Sequence, residues 1–153
     1  MAAQPKSLPN LLIVTANFYE DISNALLEGA VDVLTKIGAT FEIVKVPGVL
    51  EIPAAVSMAM AGMRNGRKNF DGYITLGCVI RGETSQYDVV CNESSRALMD
   101  ITVQHNIALG NGIQTVENSD QAWACAKKDD KNKGGAAAQA ALAMISLRKE
   151  LGV

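Results

Sequence analysis

The chain has 153 residues, 14 basic and 16 acidic side chains, a formal charge of −2 and 48% hydrophobic residues, which suits one globular domain with a sizeable core over 1–153. Apart from Lys127-Lys-Asp-Asp-Lys131 the charges are scattered, so nothing resembles the footprint of a nucleic-acid or anionic-membrane binder, and the expected substrate is small. No apolar run approaches the roughly 20 residues that span a bilayer, and the segment 1–9, read as an extended N-terminal segment, lacks the apolar core of a signal peptide; a cytoplasmic protein is expected.

Cys78, Cys91 and Cys125 are odd in number and widely spaced, which suits reduced thiols and fits neither a disulfide frame nor a zinc ligand set; no metal is expected. His105 is the only histidine, so a triad or a His-rich metal centre would have to use it.

Four strand-like apolar runs, 11–15, 41–46, 72–80 and 107–113, alternate with helical patterns, which predicts a parallel sheet with crossover helices. The first helix begins at Asn17-Phe-Tyr-Glu20, read as a capping box, carries Ile22, Leu26, Gly29, Val33 and Ile37 at spacings of three and four, and stops at Gly38. The second follows Pro53 and runs through Val56, Met60 and Met63 to Asn65-Gly66. A third spans 85–104 with Tyr87, Cys91, Leu98 and Ile101 on its apolar side, and Asn118-Ser-Asp-Gln121 caps a fourth that carries Trp123. The last runs from Gly134 to Leu151, and its Gly-Ala run allows close packing against the sheet or another subunit.

Ligands of parallel α/β sheets bind at the carboxyl ends of strands. Asn17-Phe18, Pro47-Gly-Val-Leu-Glu51, Arg81-Gly-Glu-Thr84 and Asn111-Gly112 are all expected there. The third is the most informative, because an apolar strand running through Arg-Gly-Glu-Thr into a helix leaves backbone N–H groups free for an anion. An ordinary strand-to-helix turn is the alternative, since Gly, Asn and Pro favour turns for conformational reasons alone.

Val46-Pro-Gly-Val-Leu-Glu-Ile-Pro53, Leu76-Gly-Cys-Val-Ile-Arg-Gly-Glu-Thr84 and Asn132-Lys-Gly134 before an Ala-rich helix resemble, in order and spacing, the lumazine synthase family from about Leu11 to Leu151. The resemblance implies a flavodoxin-like three-layer α/β fold, a four-stranded parallel sheet with helices on both faces. It also implies homopentamers with active sites at subunit interfaces and no cofactor. The implied reaction condenses 5-amino-6-(D-ribitylamino)uracil with 3,4-dihydroxy-2-butanone 4-phosphate in riboflavin biosynthesis, releasing phosphate and water, with riboflavin synthase as a partner. Decamers and larger shells also occur in the family, and the glycine-poor stretch 127–133 favours pentamers or decamers here.

Carried over residue by residue, the resemblance makes Phe18 a stacking face for the pyrimidine, with a core phenylalanine as the alternative. Val49, Leu50 and Glu51 would line the ribityl chain and pyrimidine; Glu51 would also suit a helix N-terminus. Cys78, Val79 and Ile80 would present backbone groups, with Cys78 a small core residue rather than a nucleophile. Gly82, Glu83 and Thr84 would cradle phosphate. Lys133 matches the family's lysine near a neighbouring phosphate site, and Arg81 is read as a surface or interface salt bridge as readily as a substrate contact.

Three positions depart from the family pattern. Gln86 stands where a histidine proton donor is usual, and an amide orients water or substrate but does not titrate near neutrality. Asn111 replaces an aromatic over the pyrimidine, and Cys125 replaces a phosphate-binding arginine, for which Lys127, Lys128 or Lys133 are candidate substitutes; Lys127 and Lys128 also read as a solvated cluster beside Asp129 and Asp130. His105 does not align with the missing donor and reads as a helix C-terminal residue. A slow enzyme working by proximity is therefore expected, with Gln86 on the leaving group or a relay water. The rival expectations are a paralogue that binds lumazine or flavin with little turnover and, from topology alone, a flavodoxin-type electron carrier.

Overall fold

A computed structural model describes residues 8–153. The segment expected at 1–9 lies outside them except for Leu8 and Pro9. In chain order the elements are β1 (Asn10–Ala16), α1 (Glu20–Lys36), β2 (Thr40–Val46), a 3-10 turn (Val49–Glu51), α2 (Ile52–Arg64), β3 (Gly72–Ile80), α3 (Gln86–His105), β4 (Leu109–Val116), α4 (Ser119–Ala126) and α5 (Lys133–Glu150). The strands form one parallel sheet in the order β2-β1-β3-β4, with Ile13 level with Ile43 on one side and Ile74 on the other.

The two inner strands are mostly apolar, with Thr15 and Thr75 buried among the rest, because both their faces are covered. Leu11, Ile13, Ile74, Leu76 and Cys78 point to one side, where Ile22, Leu26, Ala30 and Leu34 of α1, Ala122 and Ala126 of α4, and Ala137, Ala138 and Ala141 of α5 meet them. Leu12, Val14, Ala16 and Tyr73 point to the other, against Ile52, Val56 and Met60 of α2 and Leu98 of α3. This period-two division of each strand between two cores makes the molecule three layers deep. The flavodoxin-like α/β expectation holds.

The Ala-rich helix packs on the sheet and on α1. A Cβ at Gly110 would collide with the Ala137 carbonyl, and one at Gly134 with the Leu26 carbonyl, so backbones touch where side chains would normally separate them. The outer strands differ from the inner pair: β2 is exposed or half-buried along its whole length, with Ile43 and Val44 open to solvent. A strand edge of that kind has unpaired backbone groups beside apolar side chains.

Two local expectations need correction. The capping box at Asn17 and Glu20 does not form. The Asn17 N–H donates to the Val46 carbonyl at 2.8 Å, which keeps the chain extended past β1, and α1 starts only at Glu20 with Tyr19 as its cap residue. Glu20 is thus the first helical residue, two positions before the one that could reach back to the cap, and Ser23 ties the junction instead, its hydroxyl donating to the Ala16 carbonyl at 2.6 Å. The fourth strand is displaced toward the C-terminus, Leu109–Val116 rather than 107–113, so Asn111-Gly112 is inside the strand and not at its exit. Asn111 stays in an extended edge strand because its Oδ1 accepts from the Ile113 N–H at 3.0 Å and the Thr75 hydroxyl at 3.1 Å. The caps at α2 and α4 form as expected: Pro53 occupies the first turn of α2, and the Asn118 side chain accepts from the Gln121 N–H at 2.9 Å.

Candidate active site

Three strand exits converge at the carboxyl edge of the sheet around a pocket of about 330 Å³. The β1 exit contributes Phe18 and Tyr19, the β2 exit Gly48 to Glu51, and the end of β3 with the start of α3 contributes Cys78, Val79, Ile80, Gly82, Thr84, Gln86, Tyr87 and Val90. Because α1 starts late, Phe18 sits in the loop with 73% of its surface exposed, its ring 4.9 Å from that of Tyr19 in an edge-to-face arrangement. A phenylalanine this exposed is no core residue. It offers a flat apolar face to whatever enters the pocket.

The β3 exit builds the polar end. The Arg81 N–H is taken by the Val116 carbonyl at 2.9 Å, but the N–H groups of Gly82, Glu83, Thr84 and Ser85 find no acceptor among the described residues. The Thr84 hydroxyl oxygen accepts from the Gln86 N–H at 3.3 Å, which leaves its own proton free to donate outward. These groups lead directly into the 20-residue helix α3, so free donors and the positive end of the helix dipole coincide.

Charge at this end is one-sided. Among the described residues Glu51 is the only charged side chain lining the pocket, and no basic residue does. Arg81, the nearest cation in sequence, turns away from the cavity: its Nε meets the Glu117 carboxylate at 2.9 Å, a second nitrogen meets Asp88 at 3.7 Å, and its guanidinium lies 4.4 Å from the Tyr87 ring centre. Arg81 therefore ties the β3 exit to α3 and to the end of β4, which answers its two readings in favour of the salt bridge. Burial pushes the Tyr87 hydroxyl above its ordinary range, opposed in part by Thr115. Burial also pushes the Cys78 thiol up to about 11, with Cys125 and Cys91 adding to the effect, so Cys78 is a protonated core thiol at neutral pH and not a nucleophile.

Ten residues expected at the site therefore meet in one cavity: Phe18, Val49, Leu50, Glu51, Cys78, Val79, Ile80, Gly82, Thr84 and Gln86. Glu83 is exposed in the same turn without lining it. Asn111, Cys125 and Lys133 are not part of this cavity. Asn111 is paired with Thr75, three positions before Cys78, or about 10 Å along the strand. Cys125 packs against the core beneath α4, and Lys133 opens α5 in the same layer as α1. Tyr19, Tyr87 and Val90 were not expected, and Gly48 was expected only as part of the strand exit Pro47-Gly-Val-Leu-Glu51; for Tyr19 and Gly48 no separate signal stood in the sequence. For Tyr87 and Val90 the signal was spacing, since Gln86 and Val90 stand one helical turn apart and Tyr87 heads the apolar face of α3.

His105, the lone histidine, closes α3 at the opposite end of the sheet, as expected for a helix C-terminal residue. No helix of the described residues is long and apolar enough to cross a membrane.

Comparison with known proteins matches this architecture to one family. The family model described as 6,7-dimethyl-8-ribityllumazine synthase matches residues 9–149. Among curated relatives of that name, the protein of Agrobacterium fabrum is 57% identical over 146 residues, covering 95% of this chain and 99% of its own. That of Bartonella tribocorum is 55% identical over 152 residues, 99% of this chain and 98% of its own. That of Bartonella henselae is 58% identical over 143 residues, 94% and 90%. With near full-length coverage on both sides, and with two of the three resembling motifs at one pocket, the chain belongs to the 6,7-dimethyl-8-ribityllumazine synthase family.

Proposed function

We propose that the protein is a transferase of riboflavin biosynthesis that condenses 5-amino-6-(D-ribitylamino)uracil with 3,4-dihydroxy-2-butanone 4-phosphate. The observation that supports this best is the meeting, in one cavity of about 330 Å³, of an exposed aromatic, a carboxylate and a run of partnerless N–H groups at a helix start. In this reading the pyrimidine stacks on Phe18, its edge bonds to the backbone of Cys78, Val79 and Ile80, and Val49, Leu50 and Glu51 hold the ribityl chain. The phosphate of the second substrate sits on the N–H groups of Gly82, Glu83 and Thr84, with the Thr84 hydroxyl as a further donor.

The chemistry then rests on proximity. Holding two reactants in attack geometry supplies roughly 7–11 kcal/mol of barrier reduction. Gln86 orients the leaving group or a relay water without carrying a proton, and the absence of a titrating imidazole costs about 10²- to 10⁴-fold in rate. The enzyme is accordingly slow beside relatives that have histidine there.

A phosphate dianion in a pocket whose only charged lining residue is a carboxylate calls for a cation from elsewhere. We infer that a second copy of the chain supplies it, in a homopentamer or a pair of pentamers. Lys133 would be the partner cation, Asn111 would face the pyrimidine with its free amide nitrogen, and Cys125 would stand in the wall where an arginine is usual. The open β2 edge with Ile43 and Val44, and Val89, Met99 and Val103 exposed along α3, fit a surface meant to be covered. Riboflavin synthase, which uses the product, is the partner this assignment implies.

Incubating the purified protein with both substrates and following the coloured lumazine tests the proposal. Formation clearly faster than the spontaneous condensation is expected; a rate equal to it would leave a lumazine-binding paralogue, the second reading, motivated by Gln86, Asn111 and Cys125.

A further inference from the structure

The edge of the sheet opposite the first pocket holds a second cavity, of about 290 Å³. Arg64, His105 and Arg148 occupy the last turns of α2, α3 and α5, and all three line it. Met63, Phe70 and Ile107 make an apolar wall, and the buried Tyr73 closes the floor, its hydroxyl donating to the Met63 sulfur at 3.2 Å.

The positive charges of Arg64 and Arg148 in last helical turns answer the negative end of the helix dipole, which accounts for their sign. It does not account for their convergence on one cavity, nor for the state of Arg148. The Arg148 Nε is buried and donates to nothing among the described residues, and neither Arg64, His105 nor Arg148 takes part in an ion pair among them. Arg148 as a whole is half-buried, and a buried N–H without an acceptor is destabilising, so an acceptor in the cavity toward which the guanidinium can turn this N–H gains what the empty site lacks.

We propose that this cavity is a second small-molecule site, which takes a carboxylate carried on a flat apolar body. The guanidinium fork fits a planar carboxylate, and the methionine and phenylalanine wall fits the body. Asp71 also lines the cavity, and together with three negative helix ends it offsets much of the positive charge. A single negative charge is therefore preferred to a phosphate dianion. This site lies at the other end of the strands from the lumazine pocket and stands whether or not the proposed reaction is correct.

Calorimetric titration with 2-naphthoate tests it, on the wild type and on Arg148→Met, Arg148→Lys and Phe18→Ala. Binding is expected in the wild type, about tenfold or more weaker in Arg148→Met, intermediate in Arg148→Lys and unchanged in Phe18→Ala, with 2-naphthyl phosphate binding more weakly than naphthoate. Methionine keeps the buried stem, so Arg148→Met should melt no lower than the wild type and form lumazine at the same rate. Should it melt lower, the exposed Arg64→Met carries the same comparison. No binding in the wild type, equal affinity without the guanidinium, or loss of binding in Phe18→Ala would each overturn the proposal.

Discussion

In the proposed reaction the exit of β3 and the connection between α4 and α5 carry complementary halves of one chemistry. The first has a stacking ring nearby, free backbone donors and a helix N-terminus, but among the described residues no cation lines its pocket. The second has Lys127, Lys128, Lys131 and Lys133 within seven residues, and none of them lines that pocket. Within the chain the two do not combine: Lys128 is drawn to Asp32 on α1 at 3.3 Å, and Lys133 opens α5 on the other layer. The proposed assembly would join them, because each protomer would then offer its donors to one neighbour and its cations to another.

The largest expected effect concerns what the first half lacks. Gln86→His restores a titrating group at the start of α3, beside the free N–H groups, and turnover should rise by about 10²-fold if the missing proton donor limits the reaction. A bell-shaped pH dependence near neutrality should appear with it, whereas an unchanged rate would mean that substrate phosphate or water already moves the protons.

Next in size is a direct test of the division. Phe18→Ala should weaken pyrimidine binding by about 1–3 kcal/mol, the usual worth of a base stacked on an aromatic side chain, and Lys133→Ala should raise KM for the phosphorylated substrate by about tenfold. Unfolded together and reassembled in equal amounts, the two variants should regain about a quarter of the sites with both faces intact. Mixtures no better than the average of the parents would place both residues in one chain's site and break the comparison.

The same division explains what was legible in the sequence. Alternating apolar runs and helical spacings determine which layers form, so the four strands and five helices of the described residues follow from pattern alone. Boundaries did not, where tertiary bonds outbid local signals. Asn17 looked like a cap until β2 claimed its N–H, and Asn111 looked like a turn until Thr75 and the Ile113 N–H claimed its amide oxygen. The pocket was legible where runs of neighbouring residues line it, at 49–51 and 78–80 with Gly82 and Thr84 beyond. Tyr87 was read only as part of the apolar side of α3, and its contact with the Arg81 guanidinium is one that no spacing announces. Cys125 and Lys133 came from the family resemblance alone, Asn111 also from a strand exit that lies inside β4, and none of the three lines the pocket where the others meet.

Cys125→Arg adds to the α4 wall the charged fork that the chain lacks there. KM for the phosphorylated substrate should fall several-fold, up to about tenfold, with kcat little changed. No change would show that Lys133 already fills that role. Cys125 packs against the core beside Trp123, so the melting temperature of the variant must be read alongside its kinetics.

The smallest effect belongs to Cys78, which separates the pocket floor from the rest of the site by chemistry alone. Its thiol is held up to about 11 in the folded chain, chiefly by burial. In the unfolded chain it ionises near 8.5–9. Above that range the unfolded state binds fewer protons than the folded one, so this group's contribution to stability is complete below about pH 8 and falls as pH rises toward 11, by up to about 1.4 kcal/mol per pH unit. Tyr73 and Tyr87, both raised by burial, add a similar slope from about pH 10 upward. Comparing urea unfolding of the wild type and Cys78→Ala between pH 8 and pH 10 isolates the thiol: the variant should be less stable at pH 8 through its lost side-chain volume, and the gap should narrow as pH rises. A gap that stays constant would mean that Cys78 ionises as readily folded as unfolded, and the pocket floor would then be wetter than its packing against Leu76 and the α4 alanines implies.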